Sequence, residues 1–361
     1  MLHARSTLAR TLARLVVAAL TLALAGCGSN SGPTSPSRTP GPAGNPPTGV
    51  ALNEDFVGRQ VFPVDNWWNL DVHLAPVDAQ SIAFIDFISG RTPQNPNATR
   101  ALHPDFGPPP YGMPYISVSQ TQPLVPVTFN PYGAQSDAGV PGGPPGYPIP
   151  TEARTLSNYI EGGVPGGGPS GDRHMIVIDR DRWLLFETWA THWNSAQSRW
   201  EAGSGAVWNL ATNGRRQEGW TSADAAGLAI FPGLIRADEV FGPGEITHAL
   251  RFTTRATNGY VWPASHEAGS TAGAPPMGTR LRMKASVNLS GYPPEVQKIF
   301  RAMKTYGLML ADNGTDMYIQ GTMDGRWDND VLNPAFASLH ADDFEVIELG
   351  WNPITTGVAP H

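Results

Sequence analysis

Between residues 174 and 189 the chain reads "HMIVID", "RDR" and "WLLFETW", two apolar runs split by a charged turn, which predicts a hairpin of buried strands. In "EITHALRFTT" (245–254) the side chains alternate: Ile246, His248, Leu250 and Phe252 fall on one face, and Thr247, Ala249, Arg251 and Thr253 on the other. "NGYVWPAS" (258–265) reads as its hairpin partner. In "TRLRMKAS" (279–286) Leu281, Met283 and Ala285 are expected inward, with Arg280, Arg282 and Lys284 outward. "PYISV", "LVPVTF" and a closing "FEVIEL" read as short strands, and "LMLAD" and "MYIQG" as a hairpin around "NGT".

Helical periodicity is rarer. "YPPEVQKIFRAMKTYG" (292–307) has Pro294 in its first turn, an apolar stripe of Val296, Ile299, Phe300 and Met303, and Gly307 placed to end it. A shorter helix is expected over 77–89, with Ile82, Ile85 and Ile88 as its apolar positions. Another is expected in "GWTSADAAGLAIFPGL", capped by Thr221 or Ser222 and ended by Pro232. No internal repeat interrupts this pattern. The fold class is therefore mainly β: a single barrel- or sandwich-like domain over 50–355, with one or two short helices and long Gly/Pro-rich loops.

Composition sharpens this picture. With 40 Gly and 35 Pro against 15% charged residues, turns and loops must be plentiful. The net charge of −7 and the lack of a Lys/Arg run argue against a nucleic-acid partner. Eleven Trp is a high number; most are expected in the core of a β-rich domain, and flat rings outside it suit sugar rings stacked face-on. The chain has one cysteine, Cys27, so no intramolecular disulfide can form.

That cysteine ends a stretch with Arg5, Arg10 and Arg14, the apolar run "LVVAALTLALAG" and small residues in "LAGC". The pattern resembles the lipobox of bacterial lipoproteins, in which this Cys is acylated. The resemblance implies a signal peptide over 1–27, attachment to a lipid bilayer through Cys27, and a place in the cell envelope. With Gly28 rather than Asp following, it implies the outer membrane in a Gram-negative cell. Residues 28–49 are Ser, Pro and Gly with almost no apolar side chain, which predicts a disordered tether.

The chemistry centres on "ADNGTDMYIQGTMDGRWDND" (311–330). Asn313 and Asp316 suit turn positions, where such side chains bond local amides. Asp312 follows "GLMLA" directly, so it should lie at the rim of a buried strand, where partial desolvation raises a carboxyl pKa and suits it to general-acid work. Asp324, Asp328 and Asp330 offer oxygens to calcium but lack EF-hand spacing. No zinc motif, Walker loop or nucleophile elbow is present, and no metal or cofactor is expected. His248 sits between Ile246 and Leu250, as a satisfied core histidine or as a site group, with His266 near the end of the expected neighbouring strand. Glu187 and Trp189 share a strand face, either as a sugar subsite or as an acid awaiting an Arg partner.

Two further resemblances bear on function. "DRHMIVIDRDRW", "GWTSADAAGL", "FPGLIRADEV", "GEITHALRFTT" and "YGLMLADNGTDMYIQG" together look like a set of secreted bacterial proteins without an assigned activity. From "MGTRLRMK" to "ADNGTDMYIQGTMD" the chain is similar to double-psi β-barrel lytic transglycosylases, which implies Asp312 as the acid and Asp324 as the later carboxylate. The expectation is an envelope-anchored protein that cleaves glycosidic bonds of a polysaccharide or peptidoglycan glycan. Asp312, Asp324, Glu187, His248 and His266 are its candidate catalytic groups, and Trp189, Trp327, Arg251 and Tyr318 its candidate substrate contacts. The alternatives are a non-catalytic carbohydrate-binding or scaffold lipoprotein, and a calcium-stabilised adhesion domain.

Overall fold

The computed structural model describes residues 49–56 and 58–353; the signal segment, Cys27 and the tether lie outside them. Its fourteen strands form three sheets. The first runs in the order β1 (Ala51–Leu52), β3 (Tyr115–Val118), β5 (Met175–Asp179), β6 (Leu184–Trp189) and β9 (Ser204–Asn209). The second is β14 (Phe344–Val346), β11 (Arg280–Met283), β12 (Leu308–Asn313), β10 (Leu250–Thr254), β13 (Tyr318–Gln320) and β2 (His103–Asp105). The third is small: β4 (Val127–Phe129), β8 (Arg199–Ala202) and β7 (His192–Asn194). Five helices join them: α1 (Ser81–Ser89), α2 (Glu152–Thr155), α3 (Ala237–Val240), α4 (Pro294–Thr305) and α5 (Asn329–Ala337). The protein is mainly β and sandwich-like, and none of the three sheets closes into a barrel.

Alternation along β5 and β6 explains the layering. Ile176, Ile178 and Leu185 join the main core, whereas Met175, Val177, Leu184 and Phe186 join a second core. The five-stranded sheet is therefore apolar on both faces. Trp200 and Phe129 of the small sheet help to cover the second core. The main core combines Leu250, Phe252, Leu281, Leu308, Leu310 and Ile319 of the six-stranded sheet with Val296, Ile299, Phe300 and Met303 of α4. Helix α4 has the expected stripe buried, and Gly307 follows it at φ +76°, a conformation that Gly adopts without strain.

Other expectations need correction. Strands β12 and β13 do not form a hairpin, because β10 lies between them, parallel to β12 and antiparallel to β13. "NGYVWPAS" forms only isolated bridges at Asn258 and Tyr260. The stretch 219–230 is not helical; the Ser222 hydroxyl is committed to the Asp224 and Leu228 carbonyls, which holds a compact loop instead. In α1 the buried side is Phe84, Ile85 and Ile88, and Ile82 is exposed. Asp328 caps α5 by accepting from the Asp330 N–H, a structural use for one of the proposed calcium acids.

Arg280 and Arg282 also depart from expectation. Both are buried, because the segment 66–75 crosses their side of the sheet and turns its carbonyls toward them. Arg280 donates to Trp67 and Leu70; Arg282 donates to Val72, His73, Ala75 and the Glu345 carboxylate. Each guanidinium thus satisfies carbonyls that no strand pairs. Replacing Arg282 with Met should leave the His73 and Ala75 carbonyls and Glu345 without this donor and cost about 2–4 kcal/mol. The urea midpoint would fall accordingly; an unchanged midpoint would mean that water replaces the guanidinium without loss.

Candidate functional site

The site begins with the polar side of β10. Leu250 and Phe252 enter the core, so Arg251 and Thr253 face the opposite way. Asp312 shares its parity with Leu308 and Leu310 and by simple alternation would follow them into the core. It does not, because the pairing jumps from Phe252–Leu310 to Thr253–Asp312 and leaves Ala311 as an extra residue. This β-bulge turns Asp312 onto the face of Arg251. Across the sheet, Thr253 pairs with Tyr318, Tyr318 with His103 and Gln320 with Asp105, so one polar stripe crosses four strands. The rings of Tyr318 and His103 stack at 4.5 Å and 16°.

The five-stranded sheet supplies the facing side. His174 and Glu187 share the parity of Ile176 and Leu185, which enter the main core. Between the sheets runs the loop that carries Asp224. Arg251 is fully buried and donates from Nη2 to Asp224 Oδ1 at 2.8 Å, with Nη1 3.8 Å from Met113 Sδ. Gly233 gives it room, since a Cβ there would lie 3.2 Å from Arg251 Cγ and 2.5 Å from the Trp68 ring. Glu187, also fully buried, accepts from the Ile230 and Phe231 N–H groups and from Trp208 Nε1, which ties the loop to β6.

His174 donates from Nδ1 to Glu161 Oε2 at 2.7 Å, and its Nε2 lies 3.2 Å from the Ala223 carbonyl oxygen. Both partners are acceptors, so the ring is doubly protonated. Burial opposes that charge, but the Glu161 carboxylate outweighs it and lifts the His174 pKa to about 9. Burial likewise opposes ionisation of Glu161, and the adjacent imidazolium overrides it, holding this carboxyl below its usual range.

Asp312 shifts the other way. Burial raises its pKa, against the pull of Arg251 and His174. Burial raises that of Asp224 to about 8, with Asp312 and Glu187 adding to the rise, and its Oδ2 has no hydrogen-bond partner. Asp105 is raised by burial and by Glu161. Asp312 and Glu161 are nevertheless half-exposed, and Asp105, Asp172 and His103 are exposed. These groups therefore form one charged cluster with a solvent-reached edge, here termed the recess, over buried Arg251, Asp224 and His174.

The structure brings together only some of the residues expected from sequence. Asp312 and Tyr318 belong to the recess. His266 lies beside it, its Nδ1 donating to the Ala225 carbonyl at 2.8 Å. Half-buried Trp189 reaches it through Nε1 to Asp172 Oδ1 at 3.2 Å. Arg251 and Glu187 lie beneath it, too buried to touch a substrate, and act on its charge and shape. Asp324 lies elsewhere, held by Arg326, which also binds Asp55. Trp327 is a core residue whose Nε1 donates to the Thr322 carbonyl. His248 precedes β10, binds Glu239 at 2.9 Å and opens on a different cavity. Asp224, Glu161, Asp105 and Asp172 come from loops or a strand edge and carry no periodic signal. His174 could have been found, because it shares the parity of the buried "IVI" run.

Among the described residues no group of three or more His, Cys, Asp or Glu side chains could hold a metal ion. No family model matches the chain, and no curated protein and no solved structure matches it significantly.

The raised His174 pKa has a consequence for stability. Between its unfolded value near 6.5 and its folded value of about 9, the native state binds more protons than the unfolded chain. The pair should contribute about 3 kcal/mol below pH 6.5, a contribution lost as pH rises through 9. The stability difference between the wild type and His174→Gln, followed by denaturation from pH 6 to 9.5, should shrink over that window. A difference independent of pH would mean that the ring is neutral.

Proposed function

We propose that the recess cleaves a glycosidic bond, with Asp312 as general acid and Glu161 as the ionised partner. The observation that carries this reading is a pair of solvent-reached carboxyls over buried Arg251 and His174, of which Glu161 is hydrogen-bonded to the imidazole and Asp312 is not. Burial raises the pKa of Asp312, while His174 lowers that of Glu161. Two carboxyls driven apart in this way divide into an acid and a base or nucleophile at a single pH. Asp312 would protonate the glycosidic oxygen as the bond to the anomeric carbon breaks. Glu161 would take the proton of the attacking hydroxyl, from water or from the sugar itself. The stacked pair Tyr318 and His103, and Trp189 against Tyr132, would offer ring surfaces to sugars.

The likeness of the Asp312 segment to lytic transglycosylases supports a glycan of the envelope as substrate, and the lipobox-like Cys27 supports an anchored enzyme that meets it there. The second reading, carbohydrate binding without cleavage, draws on the same rings and gives the carboxyls no titrating role.

Incubation with peptidoglycan and with soluble polysaccharides, followed by mass analysis of the products, separates the two. Asp312→Asn and Glu161→Gln should each lower cleavage by a factor of about 10² or more, with glycan affinity kept within a few fold. The pH–rate profile should be bell-shaped, losing its alkaline limb in Asp312→Asn. Binding without products from any glycan would favour the second reading, and full activity in Asp312→Asn would remove Asp312 as the acid.

A further inference from the structure

We propose that the free edge of β9 is a docking site for a short, uncharged, extended peptide, which pairs there as a parallel strand. β9 ends the five-stranded sheet and has β6 on one side only. Its open end faces a cavity of about 480 Å³ that shares no lining residue with the recess around Asp312.

Backbone parity fixes which groups of β9 are open. Alternate residues of an edge strand turn their N–H and C=O groups toward and away from the neighbouring strand. The Gly205 N–H donates to Ser136 Oγ, its C=O accepts from the Asp137 N–H, and the Val207 N–H donates to Asp137 Oδ2. The odd-numbered residues therefore face away from β6. On the β6 side the Leu210 N–H donates to the Trp183 carbonyl, as that parity requires. The Asn209 C=O accepts from the Thr212 N–H and hydroxyl. This leaves the Val207 C=O and the Asn209 N–H without a partner among the described residues. Both residues line the cavity, Val207 half-buried and Asn209 exposed. A carbonyl and the N–H two residues further on are the pair that one residue of a parallel strand bonds, through its own N–H and C=O. An antiparallel partner would need both groups of a single residue, and the Val207 N–H and Asn209 C=O are already engaged. The docked residue thus lies opposite Trp208.

The cavity wraps both faces of this edge. Trp208 comes from the main-core face, and Leu184, Val207 and Val140 pack on the second core. The side chain of the docked residue would fall beside Trp208 and half-buried Trp220, and those of its two neighbours beside the valines. The charges of the wall are paired within the protein. Arg216 binds Asp137 and the Gln135 and Thr221 carbonyls; Arg215 binds Glu218 and the Pro263 and Ala264 carbonyls. A charged side chain entering here would lose water and gain no counter-ion, so the wall selects an uncharged peptide. A sugar would meet the same rings but has no N–H and C=O in this register.

The probe is acetyl-Gly-Val-Tyr-Val-Gly-amide, which sets Tyr opposite Trp208 and a Val on each side of it. Calorimetry on the full chain should give a Kd of about 1 mM or tighter, and the probe should slow hydrogen exchange at the Asn209 N–H. Methylating the Tyr nitrogen removes the donor to Val207 and should weaken binding about tenfold or more, as should replacing both Val with Asp. Asn209→Pro deletes the open N–H at an edge position where Pro is tolerated, and should abolish binding. Gly214 lines the cavity with open space where a side chain would stand, so Gly214→Trp should block the probe and leave the Tm near the wild-type value. This variant keeps the test decisive if Asn209→Pro fails to fold. No binding at about 5 mM, equal binding of the N-methylated probe, or binding that survives Gly214→Trp would each overturn the proposal. Displacement of the probe by cellotetraose would mark a sugar site and overturn it too. Asp312→Asn should bind the probe normally, so failure of the cleavage reading leaves this one standing.

Discussion

A fully buried guanidinium organises this molecule. Taking Arg251 out of water costs several kcal/mol unless acceptors meet it, and the carboxylate that bonds it is that of Asp224. Three carboxyls that do not touch it, Asp312, Glu187 and Glu161, each feel its field. That requirement accounts for the loop between the sheets. Glu187 holds Ile230 and Phe231 by their N–H groups, Gly233 keeps clear of Arg251, and Asp224 is delivered to Nη2. The charged cluster is therefore part of the packing between the two larger sheets. Its upper edge alone reaches solvent, and that edge is the proposed catalytic recess.

How far the sequence discloses this can be judged residue by residue. The hairpin of β5 and β6 and the stripe of α4 are legible because period-2 and period-3.6 burial leave direct traces. Asp312 is legible as a strand-rim carboxyl for the same reason. The bulge that aims it is not, since one unpaired alanine looks like any other residue in "LMLAD". Parity alone would have buried the acid, and Arg251 would have missed it. Arg280 and Arg282 mislead in the opposite direction, because alternation reports which face a side chain takes and not whether a distant segment covers that face. Asp224 and Glu161 arrive from loops, where no period exists. Trp327 was expected at a sugar site because tryptophan serves platforms and cores alike, and here the core has it.

One stretch of chain joins the recess to the cavity beside His248. From Asp224 under the recess it passes through Ile230 and Phe231, pinned by Glu187, and reaches Arg236 at that cavity. The contact of Arg236 with the Phe231 ring makes the link physical, since the backbone of that residue is held from one side and its ring meets the cation on the other. The connection is a continuous set of contacts, which is the condition for coupling and not yet a coupling free energy.

The opposed titration of Asp312 and Glu161 follows from where each stands relative to the buried cations. Glu161 is hydrogen-bonded to an imidazolium, so ionisation gains a contact that more than offsets its desolvation. Asp312 has the field of Arg251 and His174 but no hydrogen bond from either; its carboxylate accepts only the N–H of Asn313. A field without a direct bond is weak against desolvation, because Coulomb attraction falls with distance while the burial penalty does not. One carboxyl is thus shifted up and the other down at the same solvent-reached edge. The bulge at Ala311 places Asp312 on this side of the sheet, and its distance from the cations then sets its protonation, so geometry and titration have a common origin in the register of β10 with β12.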